Sequence, residues 1–277
     1  DGEVLSRTQP FPTKPPPFED QGSSIDQLVD FTPELRALAV EAVKNHRLGG
    51  LFSPPMLTVD GGMQGTIQRP AIGGGANWMG SAVDPETGTV WAGYEYREAI
   101  VRLDAAFRPD KEVRPALMAD WASNSGVESL VRLADGRFLA IEERSRRWRG
   151  SRHMAVLFSG DPVEDDNPQS VVVDIPSGYR PVDAAPVGKG RALVLLRRLD
   201  WGIPLGFETA IAELDVDAPD DDGIVTARLL AELGKTIPRD NYEGIAVTTD
   251  DDGQFVWLIS DDNFMAIQRT LLLKLRW

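Results

Sequence analysis

The stretch "EGIAVTTDDDGQFVWLISD", residues 243–261, holds two runs of small and apolar residues on either side of an acidic turn that ends in glycine. Glycine at this place supplies the positive φ that a tight hairpin turn needs. Three other stretches follow the same plan: "GSAVDPETGTVWAGYE" (80–95), "ESLVRLADGRFLAIE" (128–142) and "DAAPVGKGRALVLLR" (183–197). The repetition predicts one supersecondary unit that the chain uses four times.

The spacing of these four copies indicates the architecture. They recur at about 50 to 60 residues, which suits a β-propeller blade with loop insertions. In a propeller the innermost strand of each blade lines a central channel. We predict an all-β fold: a β-propeller of about 5–6 blades, with recognisable blade repeats over 76–277 of a single domain 1–277.

The first 75 residues have a different character. "TKPPPFED" (13–20) is a proline-stiffened segment without a periodic apolar pattern. A short helix is predicted near residues 32–47, with Thr32 as N-cap, Pro33 in the first turn and Gly49 as the stop. His46 is expected to cap the C-terminus of that helix. Two alternatives stay open for this part: the ring is incomplete at its N-terminal side, or it closes differently.

Composition and charge restrict the function. The 277 residues carry a formal net charge of −14, which argues against nucleic acid as a partner and against an anionic membrane surface. The chain has no cysteine and only two histidines, His46 and His153. Thiol nucleophiles, cysteine zinc sites and multi-histidine metal sites are therefore excluded. Cations or neutral ligands suit the charge, and an anion suits it only beside a local basic cluster.

The location is inferred from weaker signals. No apolar run reaches the roughly 18 residues that span a bilayer, so no membrane insertion is expected. The sequence begins at Asp1 rather than methionine, which fits a signal peptide that has been removed. We expect a periplasmic or secreted protein that is monomeric.

Acidic residues recur at the start of the repeats. Glu128, Asp183 and Glu243 open three copies, whereas Gly80 opens the fourth. In a propeller such residues converge on the axis, where they form a cation site or a polar ligand pocket, provided that a counter-charge is present. The alternative for any single acid is a turn-closing group that accepts backbone N–H bonds.

Two other acidic runs have a simpler interpretation. Asp250–Asp252 lie at a hairpin tip, where acids are usually solvated. "DVDAPDDDG" (215–223) lacks the EF-hand pattern because Pro219 occupies a ligand position. Both are predicted to be exposed loops.

Several motifs together resemble the phytase-like family, which is described as having esterase-like activity. They are "NYEGIA" (241–246), "WLISDDNF" (257–264), "QRTLLLKLRW" (268–277), "NSGVESLVRLADGRFLAIEE" (124–143), "PVDAAPVGKGRALVLLRR" (181–198) and "GTVWAGYE" (88–95). The resemblance implies an exported bacterial β-propeller that hydrolyses phosphate or carboxylate esters with the help of Ca²⁺. The chain departs from the family pattern at "GGLFSPP" (49–55) and at Leu196, where the family often has an acid.

The resemblance and the residue types give a set of predicted roles for a small-molecule phosphate or ester substrate. Carboxylates can hold Ca²⁺, which neutralises phosphoryl oxygens and activates water, and arginine forks suit phosphate. The predicted metal ligands are Glu128, Glu243 and Asp261. The predicted catalytic residues are Glu142, Arg197 and Asp262. The predicted substrate-binding residues are Arg144, Arg147 and Asn263.

Two rival functions remain open at this point. A non-catalytic propeller could bind a ligand or partner and keep only a structural cation, and Gly80 in place of an acid favours it. Carboxylester hydrolysis through a serine is the third possibility, with Ser81, Ser129 and Ser260 near the strand ends.

Overall fold

The computed structural model describes residues 22–50, 53–54, 56–67, 80–94, 97–121, 126–145, 150–200, 206–234, 237–261 and 268–277. The chain divides into two compact units, Asp1–Asn77 and Trp78–Trp277. Each unit is described below by itself.

The first unit contains the predicted helix. Helix α1 spans Pro33–Val43, and the Thr32 hydroxyl accepts a hydrogen bond from the Leu35 N–H at 3.2 Å. After the helix, the N–H of His46 donates to the Val43 carbonyl at 2.8 Å, so its backbone rather than its ring completes the helix end. Strands β1 (Gly22–Ser23) and β2 (Gly49–Gly50) form a short antiparallel pair. The predicted helix and its N-cap are confirmed.

The second unit is built from antiparallel sheets. Its strands are β3 (Ser81–Val83), β4 (Val90–Tyr94), β5 (Ala99–Leu103), β6 (Pro109–Val113), β7 (Val127–Arg132), β8 (Phe138–Ser145), β9 (Arg152–Phe158), β10 (Gln169–Asp174), β11 (Arg180–Gly188), β12 (Arg191–Asp200), β13 (Gly206–Asp215), β14 (Ile224–Thr226), β15 (Arg228–Glu232), β16 (Tyr242–Asp250), β17 (Gly253–Ser260) and β18 (Leu272–Arg276). A short 3-10 helix, Ala116–Met118, lies between β6 and β7.

These strands form four blades, numbered here in chain order. Blade 1 is β3–β6 and blade 2 is β7–β10; blade 3 is β11, β12, β13 and β15, and blade 4 is β16–β18. Strand β14 leaves blade 3 to pair in parallel with β10 of blade 2. The four sequence repeats are the first two strands of the four blades, joined by tight turns such as the one at Gly136 (φ 89°).

The blades are arranged as a β-propeller, and their cores lie between neighbouring sheets. Strand β7 packs beside β3 and β11, and β11 packs beside β16, so the first strands of the blades are neighbours. One buried cluster joins blades 2 and 3 through residues such as Ile141 and Leu196, and others join blades 1 to 2 and 3 to 4. The strands are apolar where they face a neighbouring sheet, whereas outer strands such as β6 and β15 are mostly exposed.

Gly80 lies at a close contact between blades 1 and 2. Its N–H donates to the Val127 carbonyl at 2.8 Å. A Cβ at this position would lie 2.5 Å from the Leu130 nitrogen and 2.7 Å from the Glu128 oxygen. The glycine that breaks the repeated acidic pattern is therefore required by the close approach of β7.

The predicted all-β propeller is confirmed, with four blades in the described residues against the expected 5–6. The four predicted repeats are the first two strands of the four blades, whereas strands such as β5, β6, β9, β14 and β15 lie outside them. None of the helices among the described residues has the length and apolar character that crossing a bilayer requires.

Candidate functional site

A β-bulge lies at the start of the inner strand in three blades. Glu128 in β7 and Glu243 in β16 are the extra residues, each inserted between two regular pairs of the ladder. In β11 the extra residue is Val182, and Asp183 pairs with Leu195. The sequence comparison that aligned Asp183 with Glu128 and Glu243 is therefore shifted by one residue.

The position of the bulge also decides which residue is equivalent in each blade at the far end of the second strand. Glu142 pairs with Val127, whereas the N–H of Glu143 donates to Gly126 O at 3.3 Å. In blade 4 the N–H of Asp261 donates to Asn241 O at 2.9 Å in the equivalent way. Arg197 has this position in blade 3, where it pairs with Arg180. The structural counterpart of Arg197 and Asp261 is thus Glu143, not Glu142.

Arg197 links three blades at these strand ends. Its Nη1 donates to Asn241 Oδ1 at 2.6 Å and to Glu243 Oε1, both in blade 4. Its Nη2 lies 3.7 Å from Glu143 Oε1 in blade 2. Asn241 also donates through Nδ2 to Glu243 Oε1 at 2.7 Å. Arg197 is the counter-charge that lets two carboxylates from different blades approach one another.

Glu143 is the most enclosed carboxylate of this group. Its side chain is 6% exposed, and Arg180 Nη1 donates to its Oε1 at 3.2 Å. A buried charged carboxylate needs compensating groups, and here Arg180 donates a hydrogen bond to Glu143 while Arg197 adds a second positive charge nearby. We call Arg197, Glu143, Arg180, Asn241 and Glu243 the Arg197 network.

His153 lies behind the network, in β9. The ladder between β8 and β9 is interrupted from Ile141 to Ser145, where three residues of β8 face one of β9. His153, which pairs with Ser145 at the end of this interruption, is fully buried, and its Nδ1 lies 3.0 Å from Glu142 O. Burial lowers the pKa of His153. We infer a neutral ring whose Nδ1–H donates to that carbonyl, which supports the segment that carries Glu143.

A pocket of about 750 Å³ opens beside the network. Its volume lies in the range of small-molecule sites. It lies between the end of β12 and the start of β13, with one wall from β8 and β11. Its described lining residues are Glu143, Ser177, Gly178, Arg180, Arg197, Arg198, Leu199, Asp200, Phe207 and Glu208. The pocket therefore brings charged groups and an apolar surface together at a junction of blades.

Asp183 clamps two inner strands to each other. Its carboxylate accepts from the N–H of Ala184 and, across the blade boundary, from the N–H of Ile245, both at 2.8 Å. Burial raises the pKa of this carboxyl to about 7, although the two backbone donors act in the opposite direction. Asp183 is thus a structural link between blades 3 and 4.

The structure separates the predicted site residues. It brings Arg197 and Glu243 into direct contact, and Asp261 follows β17 beside Asn241. Arg144 is exposed near the end of β8, and Glu142 is buried with its carbonyl on His153. Glu128 is the bulge residue of β7, and Arg147, Asp262 and Asn263 lie outside the described residues.

The predicted metal ligands do not assemble in the described part of the chain. There, no group of three or more His, Cys, Asp or Glu side chains is placed to hold a metal, although Glu128, Glu243 and Asp261 are all within it. Glu243 is held by Arg197, a cation that calcium would have to displace. These carboxylates alone do not fit a calcium shell.

The other predictions for polar residues have clear outcomes. Asp250 Oδ1 accepts from the N–H of Asp252 at 2.9 Å, and Asp220 Oδ1 accepts from the N–H of Asp222 at 2.9 Å, so both acidic runs are turns as predicted. Ser129 and Ser260 are buried, and Ser260 donates to the Arg269 carbonyl at 2.6 Å. Neither hydroxyl lies where a substrate could reach it.

Sequence reasoning missed Glu143, Asn241, Arg180 and Phe207. A signal existed for two of them. Asn241 stands at the start of the conspicuous "NYEGIA" motif, and Glu143 directly follows the last residue of its repeat. Arg180 and Phe207 are contributed by segments outside the repeats, so only the fold reveals them.

The sequence model of the phytase-like family, described as esterase-like activity of phytase, matches residues 80–264. The chain belongs to the phytase-like family. A second model, the β-propeller domain of glucose/ethanol/alcohol dehydrogenases, matches residues 1–141 and agrees with the β-propeller fold. The matched phytase-like region includes all five residues of the Arg197 network.

Comparison with individual proteins adds little. No curated protein matches the chain. A luciferin-regenerating enzyme is similar to it at 13% identity and a TM-score of 0.33, over 72% of this chain and 75% of that one. A functionally unknown protein from Desulfotomaculum acetoxidans has 12% identity and a TM-score of 0.36, over 68% of this chain and 64% of its own. At these values neither structure bears on function.

Proposed function

We propose that this phytase-like propeller is a hydrolase of phosphate esters or related esters, and that its active site is the pocket beside the Arg197 network. The observation that carries the proposal is the meeting of a buried carboxylate, Glu143, with two arginines, Arg180 and Arg197, in the wall of a pocket of about 750 Å³. Family membership supports a hydrolase of this general type.

The proposed chemistry uses the protein's own groups. Arg180 and Arg197 bind the anionic oxygens of the ester and stabilise the charge that develops as water attacks. Glu143 accepts a proton from the attacking water. The bond from phosphorus or carbonyl carbon to the leaving oxygen then breaks, and the leaving oxygen takes a proton from solvent. Glu143 replaces Glu142 in the role that the sequence suggested, because only Glu143 lies in the pocket wall.

Calcium stays a prediction from the family resemblance. When bound, it would supply charge neutralisation for phosphoryl oxygens. Asp262 and Asn263, which the sequence assigns to catalysis and substrate binding, are outside the described residues. The exported location and monomeric state likewise remain predictions.

The test of the proposal is turnover of p-nitrophenyl phosphate and p-nitrophenyl acetate, with an Arg197→Lys variant. Lysine keeps the charge but loses the fork that reaches Asn241, Glu243 and Glu143 together, so we expect kcat/KM to fall about 10- to 100-fold. Arg191→Lys is the matched control, because Arg191 also pairs with a glutamate, Glu213, at 3.2 Å but outside the pocket. Turnover of neither ester by the wild type, or equal losses in both variants, would contradict the proposal.

A second candidate is a propeller that binds a ligand without turnover. One observation favours it: the charged groups of the network already neutralise one another, as in a structural ion cluster. Binding of an ester in the pocket without release of p-nitrophenol would select this candidate.

A further inference from the structure

The charges in the pocket wall are balanced. Among the described residues that line it, three are arginines and three are carboxylates: Arg180, Arg197, Arg198, Glu143, Asp200 and Glu208. Each arginine has a carboxylate partner in this wall. Arg180 lies 3.2 Å from Glu143, Arg197 lies 3.7 Å from the same residue, and Arg198 Nε donates to Glu208 at 2.8 Å.

This balance restricts the charge of a ligand. A polyphosphorylated ester needs an excess of cationic groups, and the protein as a whole carries −14. One anionic group is a different case. Arg180 has a side chain that is 51% exposed, and a guanidinium has five N–H donors, so it can contact one ligand anion while it keeps Glu143.

The same pocket has an apolar side. Phe207 at the start of β13 and Leu199 near the end of β12 both line it. The Arg197 guanidinium carbon lies 5.3 Å from the centroid of the Phe207 ring. This contact fixes the ring close to the charged groups, at a distance that suits a flat apolar group attached to an anion.

We infer that the pocket selects a small ester with one anionic group and a flat apolar group, rather than a polyphosphorylated one, and that Phe207 determines this specificity. The inference rests on the proposed function for its location and goes beyond it in naming the substrate class. An aryl phosphate monoester is the simplest molecule that meets both requirements.

Calorimetric titration at constant ionic strength tests the inference without turnover. The probes are phenylphosphonate, which is a non-hydrolysable analogue of phenyl phosphate, inorganic phosphate and inositol hexakisphosphate, each added to the wild type and to Phe207→Ala. Phe255→Ala is the matched control, because Phe255 is also a half-buried ring under a cation, with Lys274 Nζ 3.8 Å from its centroid, but lies in blade 4. Thermal unfolding of both variants checks that they fold.

We expect the wild type to bind phenylphosphonate about tenfold more tightly than inorganic phosphate, which is the effect of burying part of a ring. Phe207→Ala should reduce this ratio to less than about threefold, whereas Phe255→Ala should leave it unchanged. Inositol hexakisphosphate should bind no more tightly than phenylphosphonate.

Three results would overturn the inference: tightest binding of inositol hexakisphosphate, an unchanged ratio in Phe207→Ala, or binding of none of the probes. The outcome is separable from that of the proposed function. The expected binding without turnover of any ester would reject the hydrolase and leave the specificity standing. Turnover that is fastest on inositol hexakisphosphate would keep the hydrolase and reject the specificity.

Discussion

Glu143 and Glu213 are each held by two arginines, but they lie in different parts of the propeller. Glu143 pairs with Arg180 and Arg197, which belong to the next blade, and it lines a pocket. Glu213 pairs with Arg191 and Arg228 of its own blade, in the outer strands. Ion pairing alone therefore does not mark a site. Glu143 differs because its network joins three blades beside a pocket and so gathers charged side chains from separate parts of the chain around a cavity.

The largest expected effect concerns backbone approach at a junction. Gly80→Ala places a Cβ 2.5 Å from the Leu130 nitrogen, so blades 1 and 2 must move apart. We expect the free energy of unfolding to fall by about 3 kcal/mol or more. Gly160→Ala is the outer control, because a Cβ there has no atom within 4 Å and the effect should stay within about 0.5 kcal/mol. Chemical denaturation measures both, and similar values would remove the distinction between junction and edge.

The next effect is the pH dependence of the Asp183 clamp. Burial raises its pKa to about 7 in the folded protein, above the ordinary 3.8. Its contribution to stability is therefore fully present below about pH 4 and is lost as the pH rises through about 7. Relative to Asp183→Asn, the wild type should lose about 3–4 kcal/mol of unfolding free energy between about pH 4 and pH 8.

The control for Asp183 is Asp217, on the outside of blade 3. The Arg137 guanidinium lowers the pKa of Asp217, so its contribution is present at neutral pH and is lost as the pH falls. Relative to Asp217→Asn, the unfolding free energy of the wild type should decrease as the pH falls, which is opposite to the effect of Asp183. The change should be small, because the Asp217 side chain is 56% exposed. Denaturation curves at several pH values decide, and parallel curves for wild type and Asp183→Asn would contradict the clamp.

The smallest effect concerns calcium, the cation that the family resemblance predicts. Because calcium would have to displace Arg197 from Glu243, Glu243→Gln should weaken calcium affinity by only about threefold to tenfold. Asp251→Asn, at an exposed hairpin tip, should change affinity less than about twofold. Calorimetric calcium titration compares them, and equal effects would show that the position at the strand start has no special role.

The sequence predicts the inner half of each blade because the turn glycines and apolar runs are local signals. It does not predict β9, since "RHMAVLF" (152–158) has no turn signature beside it that repeats elsewhere. Blade number depends on how sheets pack side by side, and local patterns do not contain that information.

The candidate site shows more clearly what the sequence alone cannot predict. Repeats were aligned by residue type, and the alignment matched Asp183 to the acids of the other blades. A bulge at Val182 instead of an acid shifts that strand by one residue, and a one-residue shift changes the face on which every side chain lies. The contact of Arg197 with Glu243 joins residues 46 positions apart, which spacing alone cannot reveal.

The most direct test of the account is the activity of Glu143→Gln against that of Glu213→Gln, with p-nitrophenyl phosphate and p-nitrophenyl acetate as substrates. Both changes remove a carboxylate from between two arginines, and thermal unfolding reports any common loss of stability. We expect kcat for Glu143→Gln to fall about 100-fold or more, as for loss of a general base, and that of Glu213→Gln to stay within about twofold. Equal activity of the two variants would contradict the claim that the junction between blades is the active site.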